Sequence, residues 1–410
     1  MHKPLQEFQD ELNQLFAKAC EDQQNGRLDD AGRSYLKLLD YFAEVPVLHY
    51  NLGLVYYGQG YYAQARDAFI RAAELQPGDA DILFNLALSK KRAGDPEGAI
   101  IAYQEVLREH PADVDALYNL AGCYKDTSQY TLAMATYREV LALAPEHQSA
   151  NSNLAFLYHL AGDVDQAVWY YRMVLRHNPE HQAAKHMVAA LTGELATSSP
   201  DLYVKEVFDN YSEYFERSLV GDLEYCVPKS IRALFDRIFA GEKSFAHGLD
   251  LGCGTGLGGQ AFADLVEILD GLDLSDKMIA MAAKKGIYRQ LHAASIAGFL
   301  QEVEESFDFY LAADVFAYVG DLQETFTLLR RRARPEVLFC FSTEAGQDYP
   351  YHLETTGRFA HSPQYIDEVA KATGWQVVAR QETALRKEMG AWVQGDLWLL
   401  RLAPDNLGMK

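Results

Sequence analysis

Cysteine is scarce: the 410 residues hold five, at positions 20, 123, 226, 253 and 340, with no CxxC pair. Such spacing excludes a disulfide framework and a cysteine-based zinc site, and it fits a reducing cytoplasm. Positive charge is also short. Lys and Arg number 37 against 58 Asp and Glu, a net charge of -21 shared by both halves of the chain. A chain this acidic offers no broad surface to nucleic acid, and the short run Lys90, Lys91, Arg92 reads as a solvated turn between helices. No apolar run approaches the roughly 18 residues of a membrane span. The acidic, amphipathic start MHKPLQEFQDELNQLF is neither a secretory signal nor a transit peptide. Apolar content of 49% and charged content of 23% are globular values, and the length argues for two or three domains.

The amino-terminal half repeats itself. Sliding the sequence by 34 residues brings Asn51-Leu52-Gly53 onto Asn85-Leu86-Ala87, Asn119-Leu120-Ala121 and Asn153-Leu154-Ala155. Pro77, Pro111, Pro145 and Pro179 keep the same step, as do Ala65, Ala99, Ala133 and Ala167 and the rings Phe69, Tyr103, Tyr137 and Tyr171. A fainter unit precedes them at Gly26, Ala31 and Tyr35. Apolar residues recur at helical spacing in two short segments per unit. Gly60, Gly94 and Gly162 fall between those segments, where an αα-hairpin turns tightly. The small residues let paired helices approach closely, and proline ends the second helix.

These units resemble tetratricopeptide repeats, with Lys90 and Ser128 departing from the pattern. The resemblance implies a solenoid over 1–191, with repeats at about 12–45, 46–79, 80–113, 114–147 and 148–181 and a capping helix at 182–191. His177, His181 and His186 share no helix face across Pro179, so no metal site is expected there. Asparagine, a mediocre helix former, occupies one position in four successive units: Asn51, Asn85, Asn119 and Asn153. An amide offers both donor and acceptor to a peptide group. Similarity to the repeat domain of protein-modifying N-acetylglucosamine transferases, where an asparagine ladder holds an extended polypeptide, implies a peptide groove here, with Tyr50, Phe84 and Tyr118 beside it. The alternative is packing between helices.

A polar stretch, TGELATSSP at 192–200, marks a linker. Beyond it the 34-residue step stops. Helical, aromatic segments at 202–218 and 229–240 lead into alternating strands and helices from Phe245, which argues for a parallel sheet covered on both faces. Two final strand-like runs, 376–386 and 396–402, have no helix between them and are expected to pair antiparallel. The first strand runs into Asp250-Leu251-Gly252-Cys253-Gly254-Thr255-Gly256, and the second ends in Asp273, 17 residues after Gly256. A glycine-rich strand-to-helix turn lets backbone approach a ligand, and an acid at the next strand end can accept from both ribose hydroxyls. The dinucleotide fingerprint needs a third glycine where Leu257 stands.

Asp250, the GxGxG turn and Asp273 resemble the first two motifs of class I S-adenosylmethionine-dependent methyltransferases. The chain is therefore read as an all-α repeat solenoid followed by an α/β, Rossmann-like domain over 241–410, with a seven-stranded sheet and an antiparallel last pair. Segment 201–240 is read as a helical lid. The arrangement of Tyr211, Tyr214 and Phe215 and of residues 357–362 is similar to a bacterial group of repeat-containing predicted methyltransferases. The resemblance implies S-adenosyl-L-methionine held by Tyr211, Asp250, Gly252, Gly254, Gly256 and Asp273, with Leu274 and Met278 at the adenine and Asp314 beside the methyl group. It departs after strand three, where Ala293-Ala294-Ser295 lacks the adenine-binding acid of many members. Candidate bases are Asp314, His361 and His352. The expectation is a cytoplasmic methyltransferase whose solenoid recruits a peptide or protein. The alternatives are a small-molecule methyltransferase that uses the solenoid for assembly, and a non-catalytic interaction protein that senses the cofactor.

Overall fold

The computed structural model describes residues 5–211, 224–240, 243–347, 350–388 and 390–403. The chain divides into two compact units, Met1–Pro179 and Glu180–Lys410.

The first unit is helical. After Leu5–Gln24 and Leu28–Leu39 come four pairs at the 34-residue step: Pro46–Gly58 with Tyr62–Leu75, Ala80–Arg92 with Pro96–Glu109, Val114–Asp126 with Tyr130–Leu143, and Gln148–Leu160 with Val164–His177. Asp79, Asp113 and His147 cap the first helix of successive pairs, each accepting the amide three residues on. The small residue of each first helix makes room for a ring of the second: a Cβ on Gly53 would lie 2.7 Å from Phe69. Phe69, Tyr103 and Tyr137 are buried accordingly. Ser128, which replaces the turn glycine, takes φ +59, the left-handed backbone of Gly60, Gly94 and Gly162. The turn dictates the conformation there, and serine meets it at a cost of roughly 1–2 kcal/mol.

The helix expected to cap the solenoid is Gln182–Thr192, and it belongs to the second unit. Ala190 packs with Leu353 and Phe359, and His186 Nε2 donates to the Gly357 carbonyl at 2.8 Å. His181 caps this helix by accepting the Ala184 amide.

The second unit is built on one sheet. Its strands are β1 (Phe245–Leu251), β2 (Val266–Asp273), β3 (Gln290–Ala293), β4 (Phe307–Ala312), β5 (Ala333–Ala345), β6 (Tyr351–Leu353), β7 (Phe359–His361), β8 (Trp375–Glu388) and β9 (Ala391–Leu402). The order β3-β2-β1-β4-β5 is parallel throughout. β9 joins β5 antiparallel and pairs antiparallel with β8, as the final two runs predicted. The short hairpin β6–β7, which pairs with the end of β5, is an addition that the sequence did not announce.

Side chains alternate across the sheet. Tyr310, Phe339, Phe341 and Trp398 pack on one face with Phe326 and Ile366, from the helices Gln323–Arg331 and Pro363–Thr373. Phe309, Leu338, Cys340 and Leu399 pack on the other with Ile231, Leu234 and Phe235 of the helix Val227–Phe239. That helix is a structural layer of the sheet, which corrects its assignment to a lid: the α/β fold begins before residue 241. Every connection into the functional end leaves the carboxyl ends of β1, β2, β4 and β5, where open α/β sheets bind ligands.

Candidate active site

After β1 the chain turns through Gly252 (φ +62), Gly254 (φ +54) and Gly256 (φ +90) into the helix Leu257–Phe262. All three take the left-handed backbone that glycine adopts freely. A Cβ on Gly252 would lie 2.7 Å from Val315, so the turn packs against the segment after β4. Among the described residues, a Cβ on Gly254 would meet nothing within 4 Å. The Gly254 amide donates to Asp273 Oδ2 at 2.9 Å, and the Ser275 amide donates to Oδ1 at 2.8 Å. Asp273 thus joins the turn to the end of β2. Burial raises its carboxyl above the ordinary value, against the pull of those amides. Thr255 in the same turn is buried, with a hydroxyl that has no partner among the described residues. An open backbone cradle, a strand-end carboxylate and an unpartnered hydroxyl fit a nucleoside cofactor. Leu274 stands half-buried after β2, and Met278 is buried with its amide donating to Ser275 Oγ.

Asp250 lies beneath the turn rather than in it. It is buried, accepts the Tyr288 hydroxyl at 2.7 Å, and accepts the Gly259 amide. Burial pushes its carboxyl up to about 7 against those two bonds. Its partners in this structure are protein groups.

At the ends of β4 and β5 stands a chain of alternating charges. Asp314 has φ +63, a strained backbone for a non-glycine residue. Its amide donates to Ser342 Oγ at 2.8 Å, and its two carboxylate oxygens accept from Arg386 at 2.7 and 2.8 Å. Arg386 also pairs with Glu344; Arg358 pairs with Glu344 at 3.2 Å and with Glu388. Burial raises the Glu344 carboxyl although Arg386 and Arg358 pull it down. Tyr225 donates to the Ala313 carbonyl at 3.4 Å, and burial raises the hydroxyls of both Tyr225 and Tyr318.

The helix Asp201–Tyr211 reaches both ends of this site. The Asp209 carboxylate accepts from Ser275 Oγ at 2.5 Å and its backbone carbonyl from Lys277 Nζ at 3.1 Å, while Phe208 packs edge-on against Tyr318 at 5.4 Å. The side chain of Tyr211, and all of Tyr214 and Phe215, lie outside the described residues.

Of the three candidate bases, Asp314 directly precedes Val315, against which the glycine turn packs, and Arg386 already engages both of its oxygens. His361 is fully buried. Its Nε2 lies 2.9 Å from the Val319 carbonyl and 3.0 Å from the Gly320 carbonyl, so that nitrogen carries the proton and donates. The ring stacks on Tyr365, and burial pushes its pKa down to about 4. It fastens the turn after β4, and the expectation that it removes a proton is corrected on that ground. His352 is exposed on β6. Sequence reasoning missed Tyr288, Arg386 and Tyr225, none of which carries a local motif. Among the described residues His247, Asp270 and Glu305 also converge, but Arg289 already pairs with both acids.

In the solenoid the asparagine amides are engaged inside the repeats. Asn85 donates to the Asp81 carbonyl and to the Tyr50 hydroxyl, Asn119 to the Asp115 carbonyl, and Asn153 to the Ser149 carbonyl and the Tyr118 hydroxyl. Asn51 hydrogen-bonds Tyr35. Tyr50, Phe84 and Tyr118 are half-buried and pack against Phe69, Tyr103 and Tyr137 at 5.7, 5.6 and 5.8 Å.

Residues 249–341 match the methyltransferase domain family, and residues 46–79, 84–147 and 126–191 match tetratricopeptide repeat families. The chain is a tetratricopeptide-repeat solenoid joined to a methyltransferase domain. None of the curated proteins matches it. Similar solved structures include a crystal structure of MamA, at 22% identity over 40% of this chain and 95% of that one with a TM-score of 0.39. Others are MamA from Desulfovibrio magneticus RS-1, at 18% identity over 42% and 97% with a TM-score of 0.41, and YrrB, described as a tetratricopeptide-repeat protein with an unusual peptide-binding site, at 20% identity over 42% and 89% with a TM-score of 0.40. Among the described residues, no helix of the fusion is long and apolar enough to cross a membrane.

Proposed function

We propose that the fusion is an S-adenosylmethionine-dependent methyltransferase that works in the cytoplasm and uses its solenoid to recruit a peptide or protein acceptor. The observation that carries the cofactor reading is the Gly254–Asp273 bond, which sets a glycine turn and a strand-end carboxylate side by side. Asp273 is the acceptor for ribose hydroxyls, the backbone of Gly252, Gly254 and Gly256 lies along the cofactor, and Leu274 and Met278 flank the adenine. When bound, the cofactor supplies a methyl carbon already activated by its sulfonium.

The chain's own residues have less to do than in a reaction that needs a strong base: they align the acceptor and exclude water. Asp314, with both oxygens engaged by Arg386, acts as a fixed negative charge beside the methyl group rather than as a proton carrier. The helix Asp201–Tyr211 covers the pocket as a lid.

The asparagine ladder supports recruitment through the amide groups its internal bonds leave over: Asn85 and Asn153 use both N–H donors inside the repeats, and Asn119 uses one. Asn85 and Asn119 keep their carbonyl oxygens without a bond among the described residues, whereas Asn153 Oδ1 accepts from Lys125 at 2.8 Å. The bonds of the ladder amides within the repeats favour the second reading, a small-molecule acceptor with the solenoid used for assembly. The full chain is incubated with cell extract and S-adenosylmethionine bearing a labelled methyl group. Label on a polypeptide supports the first reading, and label confined to the small-molecule fraction supports the second.

A further inference from the structure

Tyr288 stands between the helix Asp276–Ala283 and β3, and its ring touches three glycines from different parts of the site. A Cβ on Gly256 would lie 3.2 Å from the ring, one on Gly271 3.0 Å, and one on Gly259 2.6 Å. Gly256 closes the cofactor turn, Gly259 lies one helical turn further on, and Gly271 belongs to β2. The glycines and the ring are matched in size, because a side chain at any of the three would displace the ring. The hydroxyl ends on Asp250, which also accepts the Gly259 amide. One side chain therefore joins the turn, the helix that follows it, β2 and the buried acid beneath.

We propose that Tyr288 is a positioning residue for the cofactor site, holding the Gly252–Gly256 turn in its ligand-accepting shape through its bond to Asp250. The inference rests on the S-adenosylmethionine reading and adds to it a residue outside the glycine turn and the strand-end acid. The titratable groups facing Asp250 are Tyr288, Asp273, Cys253 and Tyr225. Burial raises Asp250, and the Tyr288 hydroxyl and Gly259 amide lower it. Taking away only the hydroxyl removes one of those two bonds, so the pH at which Asp250 takes up a proton rises.

The test is calorimetric titration of the full chain with S-adenosylmethionine from about pH 6 to about pH 8.5, for the wild type, Tyr288→Phe, Asp250→Asn and the double variant. Tyr288→Phe is expected to bind about tenfold more weakly at neutral pH, with its pH midpoint displaced upward. Asp250→Asn is expected to lose the pH dependence, and the double variant is expected to bind no more weakly than Asp250→Asn alone, because the tyrosine acts through the acid. Binding by Tyr288→Phe within about twofold of wild type at an unchanged midpoint overturns the proposal, as do losses that simply add in the double variant. If Tyr288→Phe does not fold, Asp250→Asn decides alone, and retention of the wild-type pH profile by that variant overturns the proposal. A wild type that binds no S-adenosylmethionine overturns the cofactor reading and this inference together, whereas a binding wild type with unaffected variants overturns this inference only.

Discussion

Replacing Arg386 with methionine isolates the charge chain at the ends of β4 and β5. The Arg386 side chain is 5% exposed, Glu344 9% and Asp314 19%, so solvent screens these groups little. The substitution keeps most of the apolar stem and removes the guanidinium, leaving two carboxylates without their main partner. Breaking one side of a buried ion pair destabilises by about 3–5 kcal/mol, because the remaining charge is uncompensated. The strained Asp314 backbone also loses the contact that holds its side chain. The pH dependence gives the effect a signature. Glu344 is already raised by burial with Arg386 in place, and without it the folded-state value rises further. A group raised in the fold contributes stability that is present at acid pH and lost as pH rises through its folded value. The deficit of Arg386→Met relative to wild type is therefore largest near pH 7 and shrinks toward about pH 5, by about 1.4 kcal/mol per unit of added shift. Urea denaturation followed by tryptophan fluorescence reads this, since Trp375 and Trp398 are buried in the same sheet. A deficit under about 1 kcal/mol at pH 7, or one equal at both pH values, would mean that Arg386 does not compensate these carboxylates.

Gly254→Ala is expected to lower stability by only about 1–2 kcal/mol, the backbone cost of its φ of +54, yet to weaken cofactor binding at least about tenfold, because its Cβ, which meets no described residue within 4 Å, would stand where the cofactor is proposed to lie; equal losses in both measurements contradict this. Gly252→Ala adds a steric cost against Val315, so its melting temperature should fall further than that of Gly254→Ala. His361, neutral and pushed down to about 4 in the fold, contributes stability present above the unfolded value of about 6.5 and lost as pH falls toward about 4. The free energy of unfolding should thus drop by about 2 kcal/mol between pH 7 and about pH 5, a drop that His361→Phe removes. Replacing Asn85 and Asn119 together with Ala should weaken capture of the labelled polypeptide by roughly 1–3 kcal/mol and leave cofactor affinity unchanged; a wild-type methylation rate at subsaturating acceptor assigns the ladder to packing.

The repeats were legible because one physical solution recurs: a small residue beneath a ring, a left-handed turn and a proline at fixed intervals. Even Ser128 obeys it, with a glycine's backbone angle. The parallel sheet and its antiparallel last pair were legible for the same kind of reason, since alternating runs bounded by helices and a helix-free final pair leave few topologies; the order of the strands came only with the structure. The β6–β7 hairpin escaped because three-residue strands carry no periodicity. The helix Val227–Phe239 passed for a lid because its aromatic stripe looks the same whether it covers a pocket or a sheet. Within the site, Gly252, Gly254, Gly256 and Asp273 are close in sequence and formed a visible motif. Tyr288 and Arg386 reach Asp250 and Asp314 across 38 and 72 residues, and only the folded sheet brings them there. His361 misled because a histidine near a strand end reads as a base until its ring is seen donating to two carbonyls.

The glycine turn and Asp273 together form the site proposed for S-adenosylmethionine. Calorimetric titration of the full chain, first with S-adenosylmethionine and then with NAD, tests it most directly, with Asp273→Ala as the companion. One saturable S-adenosylmethionine site, no NAD binding, and a loss of about 2–3 kcal/mol in Asp273→Ala, the value of hydrogen bonds to a charged acceptor, are the expected results. Saturable NAD binding with no heat from S-adenosylmethionine contradicts the proposed site.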